Sequence, residues 1–222
     1  MKIIERLCPE SECGLKCPYP MSPVGVCIHN TANDASAANE VSYMLGNDST
    51  TGFHFAVDDK EIIQAIPTDR NAWHAGDGNG DGNRKYISIE ICYSKSGGPR
   101  FEAAMKNAAE LTAWLLTEHG WDISCVKKHQ DFSEKNCPQR ILESYGWDYF
   151  LGLVNTALGE VDSAMAKFSD TSGHWAEKLI EELADMGIVK GDENGNFRPD
   201  DPATRAEAAE MIRNTVKYIT GK

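Results

Sequence analysis

Apolar residues recur along the first part of the chain in short runs with the spacing of strands. Val24–Ile28 is a short apolar run that leads into a polar segment, which is typical of a strand followed by a loop. Phe53–Val57 and Glu61–Ile66 flank the polar residues 58–60, so this stretch predicts a β-hairpin. Tyr86–Cys92 alternates apolar and polar positions and predicts another strand.

Other segments place apolar residues at intervals of three and four, which predicts helices with one buried face. Ser36–Leu45 is the first of them, with Asp34 as the expected N-cap and Gly46 as its end. Phe101–His119 and Trp147–Leu158 follow the same spacing. Strands mixed with helices predict the α/β class, a mixed central sheet with helices packed on it.

The pattern changes in the last third of the chain and predicts a second domain. Residues 159–167 are small and polar and are interpreted as a linker. Residues 168–222 contain two predicted helices, His174–Met186 and Pro202–Ile219, around a turn rich in Gly, Asp, Asn and Pro. We therefore expect a first domain over residues 1–158 and a small all-α domain after the linker.

Composition and charge narrow the classes of partner. The 222 residues are 41% hydrophobic and carry 22 Lys and Arg against 34 Asp and Glu, a net charge of −12. Binding of nucleic acid and of anionic membranes depends on clustered Lys and Arg, so neither partner is expected. No apolar run approaches the roughly 20 residues of a membrane span, and the N-terminus lacks the apolar stretch of a signal peptide.

Seven cysteines in a chain without an expected signal peptide do not predict a disulfide framework. Reduced thiols, one of them a possible metal ligand, are the better interpretation. Cys8, Cys13 and Cys17 are close in sequence, but their spacing matches no standard zinc knuckle, so no second metal site is predicted.

Three other residues have side chains suited to a zinc site. His29 follows a predicted strand, and His129 and Cys137 share one loop. Zinc binds imidazole and thiolate, and a catalytic zinc has three protein ligands and one open position. The spacing between His129 and Cys137 is not that of a standard pair of zinc ligands. The alternative interpretation is that they are a surface histidine and a buried thiol without a metal.

Four segments in order strengthen the metal interpretation: VGVCIHNTAND, GFHFAVDDKEIIQAIP, NAWHAGDGNGDGNRKYISIEICYSKSGG and KKHQDFSEKNCPQR. Over about residues 1–155 the chain closely resembles the zinc-dependent N-acetylmuramoyl-L-alanine amidases of the phage endolysin and bacterial autolysin type. The resemblance implies one Zn²⁺ per chain with ligands His29, His129 and Cys137. It also implies catalytic roles for Glu90, as the proton acceptor and donor, and for Lys135, which would stabilise the oxyanion.

The resemblance has one departure and leaves some residues open. Some relatives have a catalytic tyrosine where this chain has Phe53, which places the role of base on Glu90. His54, Trp73 and His74 are candidates for substrate binding, with packing as the alternative for each.

The sequence FSDTSGHWAEKLIEELADMGIVKGDENGNFRPDDPATRAEAAEMIRN resembles a single S-layer homology repeat. Such modules bind secondary cell-wall polysaccharide. Thr204 and Glu207 form a predicted capping box, and Arg205 would project from the first turn towards an acidic sugar. Trp175 either stacks on a sugar or fills the small core. A single copy also raises the hypothesis of a homo-oligomer formed through this module.

Together the two resemblances imply a peptidoglycan hydrolase that cleaves the amide between N-acetylmuramic acid and L-alanine. A phage endolysin or an autolysin of a Gram-positive bacterium is expected, made in the cytoplasm and acting on the wall after release. A non-catalytic muropeptide-binding protein is the alternative, because members of the broader family that lack the metal-binding cysteine bind without cutting.

Overall fold

The computed structural model describes residues 2–165, 167–192 and 194–220, and the chain divides into two compact units, Met1–Leu158 and Gly159–Lys222. The described strands of the first unit are β1 (Ile3–Glu5), β2 (Gly25–Asn30), β3 (Phe55–Val57), β4 (Ile62–Gln64), β5 (Tyr86–Ile91) and β6 (Val126–Lys128). They form one sheet in the order β1-β4-β3-β5-β2-β6.

The sheet is mixed, and its centre is parallel. β3 and β4 pair antiparallel, which confirms the predicted hairpin, although β3 begins at Phe55 rather than Phe53. β2 runs parallel to β5 on one side and to β6 on the other. All six residues of β2 are buried, as expected for a central parallel strand covered on both faces.

The described helices are α1 (Glu10–Lys16), α2 (Ala37–Leu45), α3 (Asp81–Lys85), α4 (Gly98–His119), α5 (Gln139–Ser144), α6 (Trp147–Met165), α7 (Glu177–Asp185) and α8 (Arg205–Thr220). Helices α2, α4 and α5 contact the sheet, so the predicted α/β class is confirmed. Two short 3₁₀ turns, Ile123–Cys125 and His129–Asp131, flank β6. In the described part of the chain, no helix has both the length and the apolar character needed to cross a bilayer.

The start of α2 differs from the prediction. Ser36, and not Asp34, is the N-cap, and its side chain accepts a hydrogen bond from the backbone N–H of Asn39. The Asp34 carboxylate instead accepts from the backbone N–H of Ser96, 2.8 Å away. Asp34 lies too far ahead of the first helical turn to cap it, whereas the loop that contains Ser96 is within reach.

The second unit has a small core of its own. Phe168, Ala176 and Ile180 are buried together and pack against Phe197. The residues that the sequence assigns to a linker are helical as far as Met165, because α6 continues beyond Leu158.

Polar groups define the start of the last helix, α8. The predicted capping box is confirmed, since the Thr204 N–H donates to Glu207 and the Glu207 N–H donates to the Thr204 hydroxyl.

Trp175 is 87% exposed, so the interpretation that it fills the core is wrong. Its neighbour Ala176 occupies that place instead.

Candidate active site

The pairing of β2 with β5 brings a histidine and a carboxylate to the same end of the sheet. His29 and Glu90 are direct partners in the parallel register. Residues opposite each other on neighbouring strands point to the same face. His29 Nδ1 accordingly lies 4.0 Å from Glu90 Oε1, at the carboxyl ends of both strands.

The pairing of β2 with β6 supplies the second histidine. Ile28 is the register partner of Lys128, so the residues that follow them, His29 and His129, emerge side by side. Their rings lie 4.7 Å apart between centroids. The loop after β6 then folds back on itself, and the Gln130 N–H donates to the Cys137 carbonyl at 2.9 Å.

The end of this loop is tied back to β2. Asn30 Oδ1 accepts a hydrogen bond at 3.0 Å from the N–H of Arg140, three residues after Cys137. Cys137 Sγ is thereby placed 3.8 Å from His29 Nδ1. The structure therefore brings His29 together with two residues, His129 and Cys137, that lie about a hundred positions later in the sequence.

His29, His129 and Cys137 form a buried group that fits a metal ion. Their ligand atoms all lie within 4.8 Å of one another. The buried His129 Nδ1 has no hydrogen-bond partner among the described residues, which is costly unless something else binds it. Two imidazoles and one thiolate are the donors that zinc prefers in proteins.

The protonation of these groups is suited to binding a cation. Burial and the neighbouring His74 and His129 hold the pKa of His29 well below its usual value, so its ring is neutral. Burial, with Lys135 nearby, lowers the pKa of His129 to about 4. Burial and Glu90 raise the pKa of the Cys137 thiol to about 11, so metal binding there releases a proton.

A second group lies on the opposite side of the His29 ring. Cys27 Sγ is 3.1 Å and His74 Nδ1 is 3.0 Å from His29 Nε2, and these three residues also lie close enough together to hold an ion. The directions of the hydrogen bonds show which of these two groups is free to bind an ion. His74 Nε2 lies 3.2 Å from the Tyr86 carbonyl, which can only accept, so His74 Nε2 is the donor.

The tautomer of His29 follows from that of His74. Because the pKa of His74 is also lowered, first by burial, its ring is neutral and its Nδ1 is an acceptor. His29 Nε2 must then donate to it, which leaves the lone pair of His29 Nδ1 directed at His129 and Cys137. The Nε2 side is therefore a set of hydrogen bonds, and the Nδ1 side is the candidate metal site.

A cleft of about 290 Å³ opens beside the candidate site. Glu90, Lys135 and Cys137 line it together with Phe53. Burial raises the pKa of Glu90 to about 8, with Glu40 raising it further and Lys135 opposing the shift. Glu90 Oε2 is buried without a hydrogen-bond partner among the described residues, so this oxygen is available to a bound molecule.

The other sequence candidates lie outside this cleft. His54 is fully buried, with Nδ1 accepting from the Ser88 N–H at 2.9 Å and Nε2 donating to the Arg70 carbonyl at 2.8 Å. It has no surface with which to contact a substrate, so we reassign it to packing. Trp73 is half-buried and packs edge-on against Tyr19 with ring centroids 6.1 Å apart.

Sequence reasoning missed the contribution of α2 to the cleft. Glu40, Tyr43 and Met44 line it, and Tyr43 is 74% exposed. The sequence signal for this contribution was an exposed tyrosine on the polar side of an amphipathic helix, three residues after a glutamate.

Comparison with known proteins agrees with this geometry. Residues 19–140 match the Amidase_2 family, described as N-acetylmuramoyl-L-alanine amidase, and residues 167–209 match the S-layer homology domain. The chain belongs to the N-acetylmuramoyl-L-alanine amidase family, and it is a cell-wall hydrolase of that class with a C-terminal S-layer homology domain.

Individual relatives make the placement more specific. The chain is 47% identical to the N-acetylmuramoyl-L-alanine amidase CwlA of Bacillus subtilis over 221 residues, 99% of this chain and 80% of the relative. It is 51% identical to the amidase XlyB of Bacillus subtilis over 84% of this chain, but spans only 60% of XlyB. The structure of PlyL superposes with a TM-score of 0.68 at 49% identity, covering 69% of this chain and 97% of PlyL.

Proposed function

We propose that this amidase acts as a zinc enzyme, with one Zn²⁺ per chain held by His29, His129 and Cys137. The observation that carries the proposal is the buried, unpartnered His129 Nδ1 beside the two other ligand atoms. When bound there, zinc supplies a Lewis acid that polarises a carbonyl and lowers the pKa of water towards about 7.

Glu90 moves the proton in this proposal. A cation held beside Glu90 would favour its ionised form over that of the empty site. The carboxylate then accepts a proton from the attacking water and returns it to the amide nitrogen of L-alanine as the bond to the muramic acid lactyl group breaks. The register that sets Glu90 opposite His29 supports this role, because it fixes the carboxylate beside the ligand group. Phe53 lines the same cleft without a hydroxyl, which leaves Glu90 as the base.

Lys135 stabilises the transition state. Its side chain is exposed on the cleft, two residues before Cys137. An ammonium group there offsets the negative charge that develops on the carbonyl oxygen during attack.

The C-terminal unit holds the enzyme on the wall. Arg205 is exposed at the start of α8, where it is free to bind an acidic substituent of a secondary cell-wall polysaccharide. The exposed Trp175 ring supplies a face on which a sugar stacks. Catalysis and attachment then both act on the cell wall, as expected for an endolysin or autolysin of a Gram-positive bacterium.

Digestion of purified Gram-positive peptidoglycan, with and without a zinc chelator, tests the proposal. New α-amino groups and new reducing ends are quantified in the same sample. We expect alanine amino termini without reducing ends, abolished by chelation and restored by zinc. Cleavage that survives complete metal removal would contradict the zinc proposal. Protein that pellets with the wall without releasing amino groups would indicate a binding protein.

A further inference from the structure

Three thiols converge at the edge of the sheet near β1 and α1. Cys13 lies on α1, and Cys17 is its C-cap four residues later, with the Cys17 N–H donating to the Cys13 carbonyl at 3.0 Å. One helical turn therefore stacks these two side chains. Cys8 lies just ahead of α1 and is fixed by a 2.7 Å bond from its N–H to the Ala65 carbonyl.

The sulfur atoms of this Cys8–Cys13–Cys17 group lie close together. All three are within 4.8 Å of one another. A tetrahedral zinc site has Zn–S bonds of about 2.3 Å, which places its sulfurs about 3.8 Å apart. A disulfide joins only two sulfurs at about 2.05 Å and leaves the third unused. One ion satisfies all three thiols, whereas one disulfide does not.

The thiols have weak partners within the protein. Cys8 Sγ lies 3.7 Å from the Pro9 carbonyl, and Cys13 Sγ lies 3.9 Å from the Cys8 carbonyl. Cys17 is fully buried and Cys8 is 7% exposed, while Cys13 is only half-buried. The group is thus closed on two sides and reachable from solvent beside Cys13.

The surrounding charges offset those of bound thiolates. Arg70 donates to the Cys17 carbonyl at 2.7 Å, which places its guanidinium beside this group. The Lys16 ammonium is fully buried, bonds Asn47 Oδ1 at 3.1 Å and interacts electrostatically with Cys8. Two cations therefore lie near three groups that become anionic when they bind a metal.

We propose that Cys8, Cys13 and Cys17 form a second metal site, which binds a zinc-class d¹⁰ divalent cation through three thiolates. Solvent beside Cys13 supplies the fourth ligand. The site shares no residue with the His29–His129–Cys137 group. It fixes α1 and the chain after β1, and we assign it no catalytic step.

Cobalt titration of the reduced, metal-stripped full chain tests this second site, because thiolate-to-cobalt charge-transfer absorption reports bound sulfur. We expect two cobalt ions per chain. The Cys13→Ser variant should bind one, with loss of most of the charge-transfer intensity, since three thiolates belong to this site and one to the other. Cys125→Ser, which changes a half-buried thiol outside both groups, is the matched control and should bind two.

Two further measurements separate this inference from the proposed function. Cys137→Ala should lose the histidine-rich site and keep the three-thiolate absorption. In the unmodified chain, zinc should protect the half-buried Cys13, but not the half-buried Cys125, from alkylation. A single cobalt ion that Cys13→Ser leaves unchanged would overturn the second site. Equal alkylation of Cys13 with and without zinc would overturn it as well.

Discussion

His29 Nε2 lies 3.0 Å from His74 Nδ1, and this contact fixes which nitrogen of His29 faces the candidate metal site. His74 is itself held by the Asn83 side chain, whose Oδ1 accepts from the backbone N–H groups of His74 and Ala75 at 2.7 Å. Helix α3 thus orients the candidate ligand His29 indirectly, through Asn83 and His74.

Replacing His74 with leucine should weaken zinc binding by about 10- to 100-fold, the usual cost of losing such a supporting contact. The His29 ring would lose its acceptor and with it the preference for one tautomer and orientation. Competition with a chelator of known affinity measures the change.

Two variants control this experiment. His74→Gln keeps a side-chain acceptor and should recover part of the affinity. His119→Gln alters a surface histidine stacked on Trp121 and should change nothing. Equal affinity in His74→Leu and the unmodified chain would show that His29 needs no such support.

Replacing Glu90 with glutamine should lower the amidase rate by about 10² to 10⁴-fold while zinc content stays at its original level. The amide is nearly the same size but cannot accept the proton of the attacking water. Amino-group release from peptidoglycan measures the rate, and elemental analysis measures zinc.

Glu134→Gln is the matched control for Glu90→Gln, because it removes an exposed carboxylate from the loop that leads to Cys137. It should retain the original rate. Loss of zinc together with activity in Glu90→Gln would instead make Glu90 part of the metal site.

Replacing His54 with glutamine should flatten the pH dependence of stability between about pH 6.5 and 4. Burial lowers the pKa of His54 to about 4, so the unfolded chain binds a proton in this range and the folded chain does not. The folded state therefore loses stability as pH falls through this window, by up to about 3 kcal/mol. The variant lacks this contribution.

Urea unfolding of chelated protein at pH 5 and pH 7.5 measures the difference for His54→Gln. The other buried histidines are present in both proteins, so their contributions cancel. At pH 7.5 the variant should also be less stable by about 1 to 3 kcal/mol, because the Ser88 N–H loses its acceptor. Identical pH slopes would mean that His54 is not neutral in the folded chain.

Replacing Arg205 with alanine should reduce binding to intact cell walls without changing the rate on soluble muropeptides. The side chain is exposed and lies outside the Thr204–Glu207 capping box, so its loss costs α8 little. Co-sedimentation with walls measures binding.

Thr204→Ala provides the contrast with Arg205→Ala. It removes the N-cap and should destabilise the C-terminal unit by about 1 kcal/mol. If Arg205→Ala melts that unit to the same extent as Thr204→Ala, the arginine is structural and not a wall contact.

The longer elements of the fold were predictable because their own sequence determines them. β2 contains a short apolar run, β5 alternates apolar and polar positions over six residues, and α4 carries helical spacing over 22. β1 and β6 have only three residues each, and neighbouring strands stabilise them more than their own pattern does. Such elements cannot be recognised before their partners are known.

The candidate site shows the same limit. Nothing in the local sequence of His29 indicates that His129 and Cys137 lie beside it, and only the resemblance selected Glu90 and Lys135. The Cys8–Cys13–Cys17 group shows that close sulfur atoms are equally hard to recognise from sequence. Its spacing fits no known ligand pattern, yet one helical turn and a neighbouring strand place the three sulfurs together.

His29 and Cys137 are 108 residues apart along the chain, and all seven cysteines are free thiols. An ion shared between β2 and the loop after β6 closes a ring of more than a hundred residues, as a crosslink would. In the proposed zinc enzyme, removal of the ion would therefore abolish catalysis and would also open this ring of more than a hundred residues. Under that proposal, the free zinc concentration would set the resistance of the folded chain to unfolding as well as its rate of catalysis.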